Sequence, residues 1–241
     1  MSVLDRHQRP LRNLRLSVTD RCNLRCGYCM PEEDYTWLDR PELLTLEELN
    51  VLVDAFCLLG VTKLRLTGGE PLLRTDLAEL IRMLKANPKL EDIAMTTNGI
   101  LLADRSPELK AAGMGRVTVS LDSLRADRFE MISRRDALPK VLAGIRALKD
   151  LQFEKTKIDT VVLKGVNDDE IIDLIEFGRE MNAQVRFIEY MDVGGATRWS
   201  MNAVVSKVEI LERVESHFGA FEKLGERNSA PADRYRLSDG T

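Results

Sequence analysis

The chain has 241 residues, 44% of them hydrophobic, enough to bury one large core or two small ones. Its formal net charge of −4 excludes a general nucleic-acid or anionic-membrane binder. The amino terminus carries no charged-then-apolar leader and no apolar run is long enough to span a bilayer, so a cytoplasmic protein is expected.

In chain order, "NLRLSV" (Asn13–Val18) reads as a first strand. It runs into "TDRCNLRCGYCMPEED", which holds three of the four cysteines. Thr45-Leu46-Glu47-Glu48 reads as a capping box opening a helix that Gly60 ends. "KLRLT" (Lys63–Thr67) is a second strand leading into "TGGEP", and "DIAMTT" (Asp92–Thr97) a third. Pro107 to Gly113 reads as a short helix with a glycine stop. "RVTVSL" (Arg116–Leu121), "TKIDTVV" (Thr156–Val162) and "QVRFIEY" (Gln184–Tyr190) complete six strands. Leu138–Leu151 and Asp169–Met181 carry apolar residues at helical spacing, and Ser206-Lys207-Val208-Glu209 is a second capping box.

Strands alternating with helices imply parallel pairing through right-handed crossovers. A parallel sheet covered on both faces should read as continuous apolar runs. Here the strands alternate instead. Arg15, Ser17 and Thr19 share one face; so do Lys63, Arg65 and Thr67, and Thr118, Ser120 and Asp122. The expected fold is therefore α/β, a partial TIM-type barrel of about six βα units with a polar lumen for a ligand. A half-exposed antiparallel sheet is the alternative, and the intervening helices argue against it.

Cys22, Cys26 and Cys29 follow the first strand at its carboxyl end, the face where barrel active sites lie. Three thiolates on one loop can ligate a soft metal centre. A structural zinc in an interaction domain would want a fourth protein ligand. Cys57 sits in the apolar "VLVDAFCLLG" and reads as a buried core residue, and the only histidines, His7 and His217, are near opposite ends of the chain. A redox-active Cys26/Cys29 pair would leave Cys22 unexplained. A [4Fe–4S] cluster on three cysteines leaves one iron open to a small molecule.

The spacing Cx3Cx2C with Tyr28 before its last cysteine, followed by "TGGEP", resembles the radical S-adenosylmethionine (SAM) superfamily. The ordered segments "LRLSVTDRCNLRCGYCMPE", "KLRLTGGEPLLR", "TTNG", "VSLDSL", "FEKTKIDTVVLKGVND" and "VRFIEYMDVG" more narrowly resemble its GTP 3′,8-cyclase (MoaA-type) family of molybdenum cofactor biosynthesis. The likeness runs from Leu14 to about Gly195, and more weakly through "APADRYRLSDG". It implies a radical SAM core and a cluster on Cys22, Cys26 and Cys29. Tyr28, Gly68, Gly69, Glu70, Ser120 and Met191 would contact SAM, and Arg15, Arg65, Thr96 and Lys157 would contact GTP. The implied reaction is abstraction of the ribose C3′ hydrogen by a 5′-deoxyadenosyl radical, then attack on guanine C8, giving 3′,8-cyclo-7,8-dihydro-GTP. Implied partners are an external electron donor, a downstream cyclic pyranopterin monophosphate synthase and a second copy of the chain; no catalytic side chain beyond the cluster and the radical is implied.

The family has a second cysteine triplet near its carboxyl end that binds a second cluster, and no cysteine follows Cys57 here. The expectation is a core over residues 1–200, then the start of a truncated carboxyl-terminal region over 201–241, with GTP turnover by this chain in question. A single-cluster radical SAM enzyme with another substrate is the alternative enzyme.

Overall fold

The computed structural model describes residues 3–192, 199–225 and 232–240. Residues 193–194, which close "VRFIEYMDVG", residue 195, where the likeness ends, and 230–231 of the "APADRYRLSDG" segment lie outside the described residues.

Period-two alternation makes the six expected strands, each within one or two residues of its expected bounds: β1 (Asn13–Ser17), β2 (Lys63–Thr67), β3 (Asp92–Thr97), β4 (Arg116–Ser120), β5 (Lys157–Val162) and β6 (Gln184–Glu189). All neighbours pair in parallel, in the order β1-β2-β3-β4-β5-β6. β1 and β6 are the two edges, so the barrel is incomplete. Leu64, Leu66, Met95, Val117 and Val119 point from the strands to the helix side and are wholly buried. Each such side chain contributes about 1.5–3 kcal/mol relative to an exposed one.

The helices are α1 (Leu46–Leu58), α2 (Leu77–Lys85), α3 (Leu102–Ala111), α4 (Ala126–Ser133), α5 (Leu138–Asp150), α6 (Ile171–Glu180) and α7 (Lys207–Phe218). Both capping boxes are present: the Thr45 and Ser206 side chains accept from the backbone N–H of Glu48 and Glu209. Cys57 is 4% exposed on the core side of α1. α3 begins five residues before the expected start at Pro107. That proline sits inside the helix and gives up one backbone bond. The Ser106 hydroxyl lies 3.4 Å from the Ala103 carbonyl that the missing amide would have served. α2 and α4 were not anticipated. A tight turn, Asp168–Glu170, precedes α6.

Beyond residue 200, α7 packs on α6 through Ile171, Val205, Ile210 and Val214. A short hairpin, β7 (Phe221–Leu224) with β8 (Arg234–Leu237), follows. No helix is long and apolar enough to cross a membrane.

Candidate functional site

The cysteine loop leaves the carboxyl end of β1 and is fixed on two sides. Gly69 N–H donates to the Thr19 carbonyl (2.9 Å) and Glu70 N–H to the Arg21 carbonyl (2.7 Å), tying it to the end of β2. Arg25 N–H donates to the Ser133 carbonyl (3.0 Å) and Gly27 N–H to the Ile132 carbonyl (3.1 Å), tying it to the end of α4. The Arg25 guanidinium donates to the Cys22 and Leu24 carbonyls and lies against the Tyr35 and Trp37 rings.

The three thiols sit close enough to repel one another as thiolates. Burial pushes the Cys26 thiol well up, and the charges of Asp122, Cys22 and Cys29 push it further; shielding of its sulfur and then Cys22 raise Cys29, although that residue as a whole is exposed. Such a set stays protonated unless a cationic centre takes the charge. Donors already face one sulfur: Leu24 N–H lies 3.5 Å, and the Asn98 side-chain amide 3.9 Å, from Cys22 Sγ. The donor set therefore fits a thiolate-ligated iron–sulfur cluster. Among the described residues, no group of three or more His, Cys, Asp or Glu side chains is gathered to hold a single metal ion.

Gly68 and Gly69 are demanded by the loop itself. Gly68 has φ +152°, and a Cβ at either position would come closer than 3.0 Å to the Thr19 or Arg21 backbone. Their carbonyl oxygens accept no hydrogen bond among the described residues, which leaves them open to an ammonium group. A cavity of about 470 Å³ adjoins them, lined in part by Ser17, Thr19, Asp20 and Met30. The Glu70 side chain turns away from it. It is 1% exposed and accepts from Leu72 N–H, Thr97 Oγ1 and Asn98 N–H. Burial raises its carboxyl, against those three bonds.

Tyr28 Oη donates to Asp122 Oδ2 at 2.6 Å, across 94 residues. The other Asp122 oxygen accepts from Val161 N–H (2.9 Å). One buried carboxylate thus joins the cysteine loop, β4 and β5. Tyr28→Phe leaves that carboxylate with an unpaired oxygen, which costs about 1–3 kcal/mol. Urea unfolding of the metal-free protein should show that loss; an unchanged midpoint would mean the bond contributes nothing.

The lumen below is cationic. Arg15 and Arg65 are register partners on β1 and β2. Arg65 reaches across the sheet, donating to Thr96 Oγ1 (2.9 Å) on β3 and Thr118 Oγ1 (3.1 Å) on β4. Lys157 begins β5. Its ammonium is pushed down to about 8, by burial first and then by Arg186, Arg116 and Arg65. Among the described residues, Asp92 pairs with Arg116, and Asp159 lies 3.9 Å from Arg186. One Asp159 oxygen is buried with no hydrogen-bond partner.

Because the folded value for Lys157 lies below the ordinary 10.5, the unfolded chain binds more protons between about pH 8 and 10.5. Lys157 therefore destabilises the ligand-free fold below pH 8, and this penalty fades as pH rises through that window. Melting curves should show the stability gap between Lys157→Met and the parent narrowing from pH 7 to pH 10. A constant gap would contradict the depressed value.

The structure gathers Arg65, Thr96 and Lys157 in one lumen with Arg15 at its edge, and puts Tyr28, Gly68 and Gly69 on or against the cysteine loop. Ser120 is half-buried at the end of β4. Met191, just past β6, is 56% exposed. Sequence reasoning missed Arg186, Asp159 and Asn98. The alternation Gln184-Arg186-Ile188 marks Arg186 as lumen-facing, and Asn98 stands in the quoted "TTNG".

A family model described as the radical SAM superfamily matches residues 16–178. A GTP 3′,8-cyclase 1 of Mycobacterium tuberculosis is 56% identical over 243 residues, covering 99% of this chain and 68% of that protein. The chain thus spans about two thirds of that relative's length. Among solved structures, TYW1 with a lysine-pyruvate adduct bound has a TM-score of 0.68 at 17% identity, over 95% of this chain and 81% of that one. Streptococcus suis SuiB bound to S-adenosylmethionine has a TM-score of 0.65 at 20% identity, over 86% of this chain and 47% of that one. At these identities the two structures speak to the fold alone.

Proposed function

The chain belongs to the radical SAM superfamily and, within it, to the GTP 3′,8-cyclase family, and from that premise we propose how its residues divide the conversion of GTP to 3′,8-cyclo-7,8-dihydro-GTP, the first step of molybdenum cofactor biosynthesis. Cys22, Cys26 and Cys29 hold a [4Fe–4S] cluster, and the open carbonyls of Gly68 and Gly69 receive the SAM ammonium. Glu70 acts from behind, bracing the turns after β2 and β3. Tyr28, fixed by Asp122, with Ser120 and Met191, contacts the rest of SAM. When bound, the cluster and SAM would supply 5′-deoxyadenosyl radical chemistry that removes the C3′ hydrogen of the GTP ribose so that C3′ bonds to C8, and one electron from an external donor with one proton at N7 would complete the 7,8-dihydro product.

Arg15, Arg65 and Lys157, with Arg186, hold the triphosphate, and Thr96 lies beside it. Arginine offers a planar fork and lysine a point charge that three phosphates can share. Thr118 and Thr96 hold the Arg65 guanidinium in place before any ligand arrives, which limits the ordering cost of binding. Anion binding returns a proton to Lys157, so affinity falls as pH rises through about 8.

The observation that carries this reading is the under-neutralised cation cluster in a lumen directly below the cysteine loop. An external one-electron donor, a cytoplasmic setting, a homodimer and hand-over to a cyclic pyranopterin monophosphate synthase complete it. The test is anaerobic reconstitution, then dithionite and SAM with and without GTP. 5′-Deoxyadenosine is expected from the 241-residue chain; none from a fully loaded, reducible cluster would sink the assignment. No cysteine follows Cys57, so the base-holding second cluster of the family has no ligands in these residues. This chain alone is therefore expected to bind GTP and ATP alike and to form no cyclised product. A marked preference for GTP would show that the base is read here.

A further inference from the structure

Asn98 stands in the "TTNG" turn after β3. Its Nδ2 donates to Asn23 Oδ1 (2.7 Å) and lies 3.9 Å from Cys22 Sγ. Its Oδ1 accepts from Ile100 N–H (3.1 Å), which assigns the amide its orientation. Its backbone N–H donates to Glu70 Oε2 (2.6 Å), while Glu70 Oε1 takes Thr97 Oγ1 and Leu72 N–H. The "TGGEP" glutamate, the "TTNG" turn and the first cysteine therefore form one connected polar chain. Every side-chain polar atom of Asn98 is committed, and one N–H remains for the sulfur.

We propose that Asn98 is a positioning residue for Cys22: its amide, aimed by Asn23 and by the buried Glu70, donates to the Cys22 sulfur and favours the reduced state of the cluster that this sulfur ligates. The inference rests on the reading that Cys22 is a cluster ligand. Taking up one electron adds negative charge that the ligating sulfurs share, and a hydrogen-bond donor stabilises the more negative state more strongly. The site is half-buried, so solvent screens the effect poorly. Only an electron is transferred, from dithionite in the test, and no proton moves. The Leu24 N–H is the second donor to the same atom, but it belongs to the loop backbone. Asn98 is the donor that side-chain replacement can remove.

Reconstituted parent, Asn98→Asp, Asn98→Ser and Asn23→Ala proteins should be compared by iron content, then by an electron paramagnetic resonance titration of the cluster. Asn98→Asp keeps the shape and the acceptor for Ile100 and loses the donor; Asn98→Ser removes Nδ2 without adding charge, and its hydroxyl ends one bond short of that position. At a fixed solution potential, Asn98→Asp is expected to lower the ratio of reduced to oxidised cluster about tenfold, equivalent to about 59 mV for one electron. Asn98→Ser should shift it in the same direction, and Asn23→Ala less than either. Loaded Asn98 variants with the parental midpoint would overturn the proposal. So would a shift in Asn23→Ala as large as in Asn98→Asp, which would make loop order the cause, or the failure of both Asn98 variants to hold iron. A parent protein without iron would instead defeat the assignment of Cys22 as a ligand.

Discussion

Cys22→Ala, Cys26→Ala and Cys29→Ala each bring iron from about four per chain to background and end 5′-deoxyadenosine formation, while Cys57→Ser changes neither. The size of the effect follows from the lack of any substitute ligand. The 241 residues hold four cysteines and two histidines. Cys57 is 4% exposed against the core side of α1 and cannot swing to the loop without unpacking that helix. Two thiolates on a loop held at both ends leave two irons without a protein ligand, and a cluster so exposed is lost. The fold itself should survive, because Cys22 and Cys26 are only half-buried and Cys29 is exposed. Circular dichroism of the three variants should match the parent, so loss of iron reports ligation. Iron retained by any one of them would remove that cysteine from the ligand set.

Arg65→Ala is the second large effect. Arg65 is the lumen cation that β3 and β4 both hold in place. Burial is the main cause lowering its pKa, and Arg116, Arg186 and Arg15 lower it further. Loss of one charge-assisted partner costs about 1.5–3 kcal/mol, roughly ten- to more than a hundredfold in triphosphate affinity. Calorimetry with GTP and ATP should show that loss for both, together with a weaker dependence on salt. The ligand-free protein should lose little stability, because the lost hydrogen bonds are offset by relief of repulsion among the remaining cations. A twofold change in affinity, or loss for one nucleotide only, would place the triphosphate elsewhere.

The strands and both capping boxes were legible because each is written locally, in alternation or in four adjacent residues. The polar faces were legible for the same reason, and they led to the lumen. α2 carries Leu77, Leu80, Leu84 at helical spacing and was overlooked beside the louder "TGGEP" before it. The start of α3 was misplaced because proline is a good first-turn residue, and the side-chain contact that accommodates it at an interior position is not a pattern. What sequence spacing could not contain are the long-range bonds: Tyr28 to Asp122 over 94 residues, Asn98 to Cys22 over 76. Each side of such a bond looks ordinary alone, and only the fold makes them neighbours.

The unclosed barrel has a consequence for the protein in concentrated solution. β1 and β6 each present a row of backbone groups that no strand among the described residues pairs, and bare edges recruit strands from other molecules. Arg12 and Arg15 stand exposed along one edge, and Arg186 and Glu189 lie on the other. Charges there make strand addition unfavourable. The side chains that await a nucleotide therefore also discourage pairing of the open sheet edges between molecules. Arg15→Ala should lower solubility at low salt as well as affinity, and crowded or anion-saturated preparations should be the first to precipitate.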